Sequence, residues 1–451
     1  MTELASAAMQ FPVAVSSFGV QKLLGVLPLG DSKAGKTLRA NLYRAGDTAK
    51  QEFSTNTALF GAFQFTDKAQ TAMIDLAADT VSFKVLRPAY MWNAVTELIH
   101  GGADAIESVA TSDSRRLLRQ RFDNAFDVIG FVNNMDAPSS LSAAGTYPVD
   151  ELINRAYSRG DYPPLWLIEG LGERYAEAYM SEGRPVHGLL SEGKGAALPS
   201  KTQLMMHAGI GITFAKHALA NLTPVSSRHE IDMALKTFLD LVDDNSQERY
   251  KGAALESLGL VTRTWYMQMV GPIYKRLALL DGPASEFFWH GAGRAMYISP
   301  MFMLPGFSPW HAAQIEPPNE TARRNALAGV AWGFTIVNVR QPEIASNFLT
   351  HGAGDVDGDA FTNGVHSALI MAGEMVPGHR FVTGYCRYKP DVKNKRAGST
   401  WNRYVGSDCE ARVAAWRHTL RLRGKLGEIF RYHSLPDYVA ELSGPVSATA
   451  S

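Results

Sequence analysis

Glu169-Gly-Leu-Gly-Glu-Arg-Tyr175 returns, with modest change, as His290-Gly-Ala-Gly-Arg-Ala-Met-Tyr297. Each copy follows an apolar run that carries a tryptophan, Trp166 in the first case and Trp289 in the second. A second pair lies behind the first, with Ala208-Gly-Ile-Gly-Ile-Thr-Phe214 matched by Ala328-Gly-Val-Ala-Trp-Gly-Phe334. Gly170 and Gly291 are 121 residues apart, and Gly209 and Gly329 are 120 apart. Two different motifs returning at nearly one spacing indicate an internal duplication. The sequence therefore predicts a mainly α fold with two similar helical units, 151–270 and 271–392. Glycine inside a helix costs about 1 kcal/mol relative to alanine. It is kept where a missing side chain lets another helix, or a ligand, come close.

The rest of the chain is read around that pair. At 451 residues, with 46% hydrophobic and 20% charged residues, it is long and apolar enough for a large core. Lys plus Arg and Asp plus Glu are both 44, so no net field draws it to nucleic acid or to a membrane. The balance is uneven, however. Between Arg387 and Arg431 stand twelve Lys and Arg against four Asp and Glu, leaving the remainder acidic. Two cysteines, Cys386 and Cys409, make no disulfide framework and show no zinc spacing. A cytoplasmic location is the expectation. The first ten residues carry Glu3 and no basic region, unlike a secretory signal. The most apolar stretch, Ala326 to Val339, is too short to span a bilayer and contains Asn338.

Residues 1–150 read as an irregular lead-in followed by a helical extension. In Thr71-Ala-Met-Ile-Asp-Leu-Ala-Ala78, for instance, Met73, Leu76 and Ala77 share a helical face. Gly30, Gly35, Lys36 and Thr37 satisfy a phosphate-loop pattern on paper. The mechanism needs a buried strand before the loop and a helix after it, and Pro28 and the short run after Thr37 supply neither. Met135 to Pro148, rich in Pro, Ser and Gly, is the boundary with the repeated units. Residues 393–451 form a basic C-terminal segment.

Leu167-Ile-Glu-Gly-Leu-Gly-Glu-Arg174, His207-Ala-Gly-Ile-Gly-Ile212 and Trp289-His-Gly-Ala-Gly-Arg-Ala-Met-Tyr297 resemble a bacterial family of unassigned function found in enediyne biosynthesis clusters, the UnbL-type proteins. Phe361-Thr-Asn-Gly-Val-His-Ser-Ala-Leu369 and Tyr385-Cys386 add to the resemblance, which covers roughly residues 150–390. It implies a helical protein tied to secondary metabolism and supplies no catalytic residues.

Two acidic groups offer chemistry. Asp355, Asp357 and Asp359 alternate along Asp355-Val-Asp-Gly-Asp-Ala-Phe361, as oxygen donors do around a hard cation. Ala360 and His366 depart from a calcium loop, so magnesium shared with a substrate phosphate suits the run better, and a solvated helix cap remains the alternative. Asp243, Asp244 and Glu248 could share one helical face and bridge divalent ions on a diphosphate, with Arg249 meeting the leaving group. Around these runs stand Trp289, Tyr297 and Trp332, suited to line a cavity for a hydrophobic or cationic intermediate or equally to fill a core. Arg294 is a further substrate-binding candidate, and His290 is the best single general acid or base.

The expectation assembled from these residues is a secondary-metabolite enzyme of lyase or cyclase type, terpene cyclase-like and Mg2+-assisted, acting on a hydrophobic substrate such as an isoprenoid. The alternative is a non-catalytic carrier or accessory protein for a hydrophobic metabolite. No nucleic acid partner is expected, and peripheral or protein contacts fall to the basic C-terminal segment.

Overall fold

The computed structural model describes residues 112–133, 135, 137–138, 140–143, 145–183, 186–298, 308–352, 358–391 and 394–443. The phosphate-loop pattern and the helical reading of the first hundred residues lie outside these. The chain divides after Phe126 and around residues 300–308. Asp127–Ser299 and Pro309–Ser451 form the larger body.

Every described element is helical. The chain order is α1 (Ser112–Asn133), α2 (Val149–Ser158), α3 (Pro164–Met180), the single turn α4 (Gly193–Ala196), α5 (Ser200–Leu219) and α6 (Arg228–Asn245). Then come α7 (Lys251–Trp265), α8 (Val270–Leu280), α9 (Ala284–Ile298), α10 (Ser308–Ile315), α11 (Glu320–Val337) and α12 (Pro342–Gly352). The series ends with α13 (Gly358–Met375), α14 (Arg380–Arg387), α15 (Lys395–Tyr404), α16 (Cys409–Leu422) and α17 (Leu435–Ser443), with a 3-10 segment, Leu426–Phe430, between the last two. Local chemistry sets several starts. Pro164 opens α3 where a helix has no use for its amide. Ser227 and Glu230 cap α6 reciprocally, and the Asn319 side chain accepts from the Ala322 amide at the start of α11.

Six helices form the interior. α3, α5, α7, α9, α11 and α13 each pack on the next, and α13 returns to touch α3 and α5, closing the circuit. These helices are apolar almost all round, and most of their residues are buried. A helix of that kind belongs in the centre of a fold. The intervening α6 and α8 bury one face only, α6 against α5 and α8 against α9.

Glycine sets how closely the six approach. A side-chain carbon on Gly209 of α5 would stand 2.1 Å from the carbonyl oxygen of Glu169 on α3, and one on Gly329 of α11 would stand 2.0 Å from that of His290 on α9. The remaining junctions are as tight: Gly211 faces Ala254 of α7, Gly291 faces Glu256, and Gly364 faces Ala328, each with a backbone oxygen within 2.4 Å of the virtual carbon. Such distances are far inside van der Waals contact, so the helices touch backbone to backbone. The two pairs of sequence motifs meet in matching ways. Gly172 lies on Met206 as Gly293 lies on Ala326, and Gly209 lies on Glu169 as Gly329 lies on His290.

His207 fastens α5 to the loop after α6. Its Nδ1 stands 2.7 Å from the Gln203 carbonyl oxygen, which can only accept, so Nδ1 carries the proton. Nε2 then accepts from the Gln247 amide at 3.0 Å. Both ring nitrogens are used by the neutral form, and burial lowers the pKa from the ordinary 6.5 to about 4.

Two outcomes follow from this packing. Gly329→Ala should lower stability by about 3 kcal/mol, the upper end of overpacking costs. Gly384→Ala, on an exposed stretch of α14 with nothing near the new methyl group, should raise it by about 0.5–1 kcal/mol. Urea unfolding midpoints of the two variants decide, and a neutral Gly329→Ala would contradict the close-contact account. For His207, the unfolded chain takes up a proton below about pH 6.5 while the folded chain does so only near 4. Stability is therefore unaffected above that window and falls as pH drops through it, by about 3 kcal/mol in all. His207→Gln should flatten this part of the stability–pH curve by close to one proton.

Candidate functional site

The residues chosen from sequence divide sharply. Asp243 and Asp244 are exposed at the end of α6, where Asp243 pairs with Lys251 at 2.5 Å and Asp244 faces His187 at 4.0 Å. The helix stops at Asn245 and Ser246 is extended, so Glu248 falls in the following turn and does not share a helical face with Asp244. The cause is Asn245, which is fully buried. Its side chain accepts from the Leu189 amide at 3.0 Å and donates to the Val186 and Leu241 carbonyls, drawing the chain away from the axis. Glu248 and Arg249 are exposed. Asp355 and Asp357 lie outside the described residues, and Asp359 is exposed in the first turn of α13. Among the described residues no three His, Cys, Asp or Glu side chains are placed to hold a metal ion.

The interior candidates, in contrast, come together. His290, Arg294, Trp289, Tyr297 and Trp332 are all buried, each at most 2% exposed. Trp289 packs edge-on against Tyr274 and Phe288. The Tyr297 hydroxyl accepts from Asn338 at 3.1 Å, and its ring meets Phe334. Trp289 thus belongs to the α8–α9 packing and Tyr297 to the α9–α11 junction.

The remaining three join two carboxylates that sequence reasoning passed over. His290 Nδ1 stands 3.1 Å from Oε1 of Glu256, one helix away on α7, and both side chains are fully buried. Arg294, one turn after His290 on α9, reaches Oε1 of Glu169 on α3 at 2.5 Å and Oε2 of Glu256 at 3.3 Å. The second contact is an ion pair without hydrogen-bond alignment, which leaves Glu256 Oε2 and Arg294 Nη1 short of a directional partner. The Arg294 guanidinium lies 5.3 Å over the Trp332 ring. Phe430 closes the group, touching the His290 ring edge-on at 6.1 Å and Trp332 at 5.9 Å. Glu169 keeps a little solvent contact, at 16% exposure.

Charge makes this cluster unusual. Two carboxylates and one guanidinium leave one negative charge in the core, and removing an ion from water costs several kcal/mol. Burial drives Glu169 above the usual carboxylate range, with Arg294 opposing. Burial also lowers the His290 pKa against the pull of Glu256. For Arg294, burial works against the charge, yet the two carboxylates outweigh it and hold its pKa above the ordinary value. A neutral His290 donates Nδ1–H to Glu256, and its Nε2, fully buried and without a hydrogen-bond partner, is the basic atom.

Local sequence explains the placement. In Ala253-Ala-Leu-Glu-Ser-Leu-Gly-Leu260, Glu256 is a lone acid inside an apolar helix. That isolation is the signal that could have found it, since an uncompensated carboxylate on a buried helix needs a partner from elsewhere. Gly291 then brings α9 onto the Glu256 carbonyl, with the virtual carbon 2.0 Å from that oxygen, so His290 and Arg294 arrive on either side of the acid.

Several arginines in and beside the basic C-terminal segment have carboxylate partners. Arg421 pairs with the buried Glu374 at 2.6 Å, Arg431 with Glu286 at 3.0 Å and Arg387 with Glu410 at 2.5 Å. Trp401 and Tyr404 are buried, so they present no ring faces to stacked bases. Within the described residues no helix is long and apolar enough to cross a membrane. No protein-family model, curated protein or solved structure matches this chain.

Proposed function

We propose that this protein is an acid–base enzyme acting on a hydrophobic small molecule within the six-helix circuit. Glu256 and His290 are its proton-transfer pair, and Arg294 and Glu169 are its charge-stabilising partner pair. The carrying observation is the fully buried Glu256–His290 contact with Nε2 of His290 left free. A carboxylate that holds Nδ1–H fixes the tautomer and raises the basicity of Nε2, the same logic by which acids orient catalytic histidines. Sealed from water, such a pair moves a proton to or from carbon or oxygen without solvent competing. Trp332 and Phe430 border the pair, and the Trp332 ring face lies against the Arg294 guanidinium. The resemblance to the UnbL-type proteins supports a place in secondary metabolism and makes an isoprenoid or polyene chain the first substrate class to try.

The reading also takes in the duplication. The matching contacts, Gly172 on Met206 as Gly293 on Ala326 and Gly209 on Glu169 as Gly329 on His290, support descent of the first three interior helices and the last three from one ancestral unit. On that view Glu169 on α3 and His290 on α9 occupy equivalent positions, and the cluster draws on both halves.

The test is turnover of prenyl diphosphates and free polyenes, followed by mass spectrometry in H2O and D2O. Wild-type protein should place solvent deuterium in the product or lose hydrogen from the substrate. Glu256→Gln and His290→Asn should each reduce the rate by at least about 100-fold, with helical content retained by circular dichroism. Stoichiometric binding without turnover would favour the carrier reading over this one. Loss of activity on replacing Asp243, Asp244 and Glu248, with both core variants still active, would move the chemistry to the outer acidic run and its magnesium.

A further inference from the structure

A surface cavity of about 560 Å³ lies where the end of α2, the turn between α11 and α12 and the start of α14 come together. Three arginines line it, one from each of these places: Arg159, Arg340 and Arg380. Its wall holds a single carboxylate, Asp161. Nδ1 of His379 accepts from the Phe381 amide at 3.2 Å, so that nitrogen bears no proton and the ring is neutral. Nε2 carries the hydrogen instead and donates it to Asp161 Oδ2 at 2.8 Å. The acid is thereby occupied by a neutral donor and pairs with none of the three guanidiniums.

Arg340 is already built into the wall. Its Nη2 donates to Asp127 Oδ2 at 2.6 Å, and its guanidinium lies 4.0 Å over the Tyr162 ring. Tyr162 is fixed in turn, donating its hydroxyl to the Val337 carbonyl at 2.9 Å. A guanidinium ordered before a ligand arrives loses little freedom on binding. Arg159 and Arg380 differ: both are exposed, and among the described residues neither pairs with a carboxylate. Three guanidiniums against Asp127 and Asp161 leave one positive charge on this face. α14 starts at the cavity and adds the positive end of its backbone dipole. Pro163, Pro342 and Phe381 supply an apolar part of the wall.

We propose that this cavity binds the phosphate of a small, soluble phosphate monoester whose organic part is apolar. A guanidinium presents paired donors in one plane, and a single fork satisfies a carboxylate. A phosphate offers three terminal oxygens and about two negative charges, so it makes use of several forks at once. Arg340 is the preset anchor, Arg159 and Arg380 close on the group from the rim, and the apolar wall takes the ester substituent. The inference is independent of the acid–base reading, because it concerns binding at a separate set of residues and no turnover.

The experiment titrates the full chain with phenyl phosphate by isothermal calorimetry, with benzoate and phosphatidic acid vesicles as the comparison probes. Phenyl phosphate should bind with a dissociation constant below about 1 mM, and benzoate at least about tenfold more weakly. Arg159→Gln and Arg380→Gln should each weaken phenyl phosphate about tenfold, since each removes charge-assisted hydrogen bonds. Both residues are exposed, so helical content should be retained. Gly384 lines the same cavity with nothing within 4 Å of a new Cβ. Gly384→Leu should therefore weaken binding by filling the space, with every charge in place. A variant carrying Lys389→Gln and Lys395→Gln, outside this cavity, should bind as the wild type does. Absence of phenyl phosphate binding, equal affinity for benzoate, or unchanged affinity on combining Arg159→Gln with Arg380→Gln would overturn the proposal. Capture on phosphatidic acid vesicles without binding of phenyl phosphate would overturn it as well.

Discussion

Backbone contact between the interior helices is the constraint from which the rest follows. At each junction from α3 to α13 in turn a glycine removes the side chain that would hold two helices apart, and a carbonyl oxygen of one helix lies where the missing carbon would be. Helices at that separation exclude water along their whole length. Their outer residues are covered in turn by α6, α8 and the later helices. Polar groups caught between them have no solvent to fall back on and must find one another. The fold thereby creates both the dry interior and the demand for the pairing seen in it.

Glu169, Glu256, His290 and Arg294 answer that demand, though with one negative charge too many. A core designed for stability alone would be better served by apolar residues of similar volume, because desolvation of buried ions offsets much of their attraction. The cluster is kept all the same, with one histidine nitrogen buried and unpartnered. Its aromatic border of Trp332 and Phe430 comes from opposite ends of the body, one from α11 and the other from the 3-10 segment after α16. That segment crosses the mouth of the circuit. Gly427 donates to the Arg249 carbonyl, Tyr432 to Asn325, and the His433 carbonyl accepts from Asn363.

The charge asymmetry of the chain has its explanation in the same segment. The C-terminal arginines lie against carboxylates of the preceding helices, Arg421 against Glu374 and Arg431 against Glu286. Opposite excesses in two parts of the sequence neutralise across an internal interface. A buried carboxylate such as Glu374 is tolerated because a guanidinium from a distant helix reaches it.

Periodicity and glycine motifs made the helical class legible, because helix burial is written in nearest-neighbour patterns along one chain. The same motifs singled out His290, Arg294 and Trp332, since residues beside a close-contact glycine are carried into the interior with it. In the first acidic run the helical spacing did not hold. Asp244 and Glu248 part where Asn245 ends the helix, and both are exposed. Glu256 and Glu169 were brought to the cluster by tertiary structure alone. Each depends on which helix face meets which, and an isolated carboxylate carries no mark of the partner that another helix will bring to it.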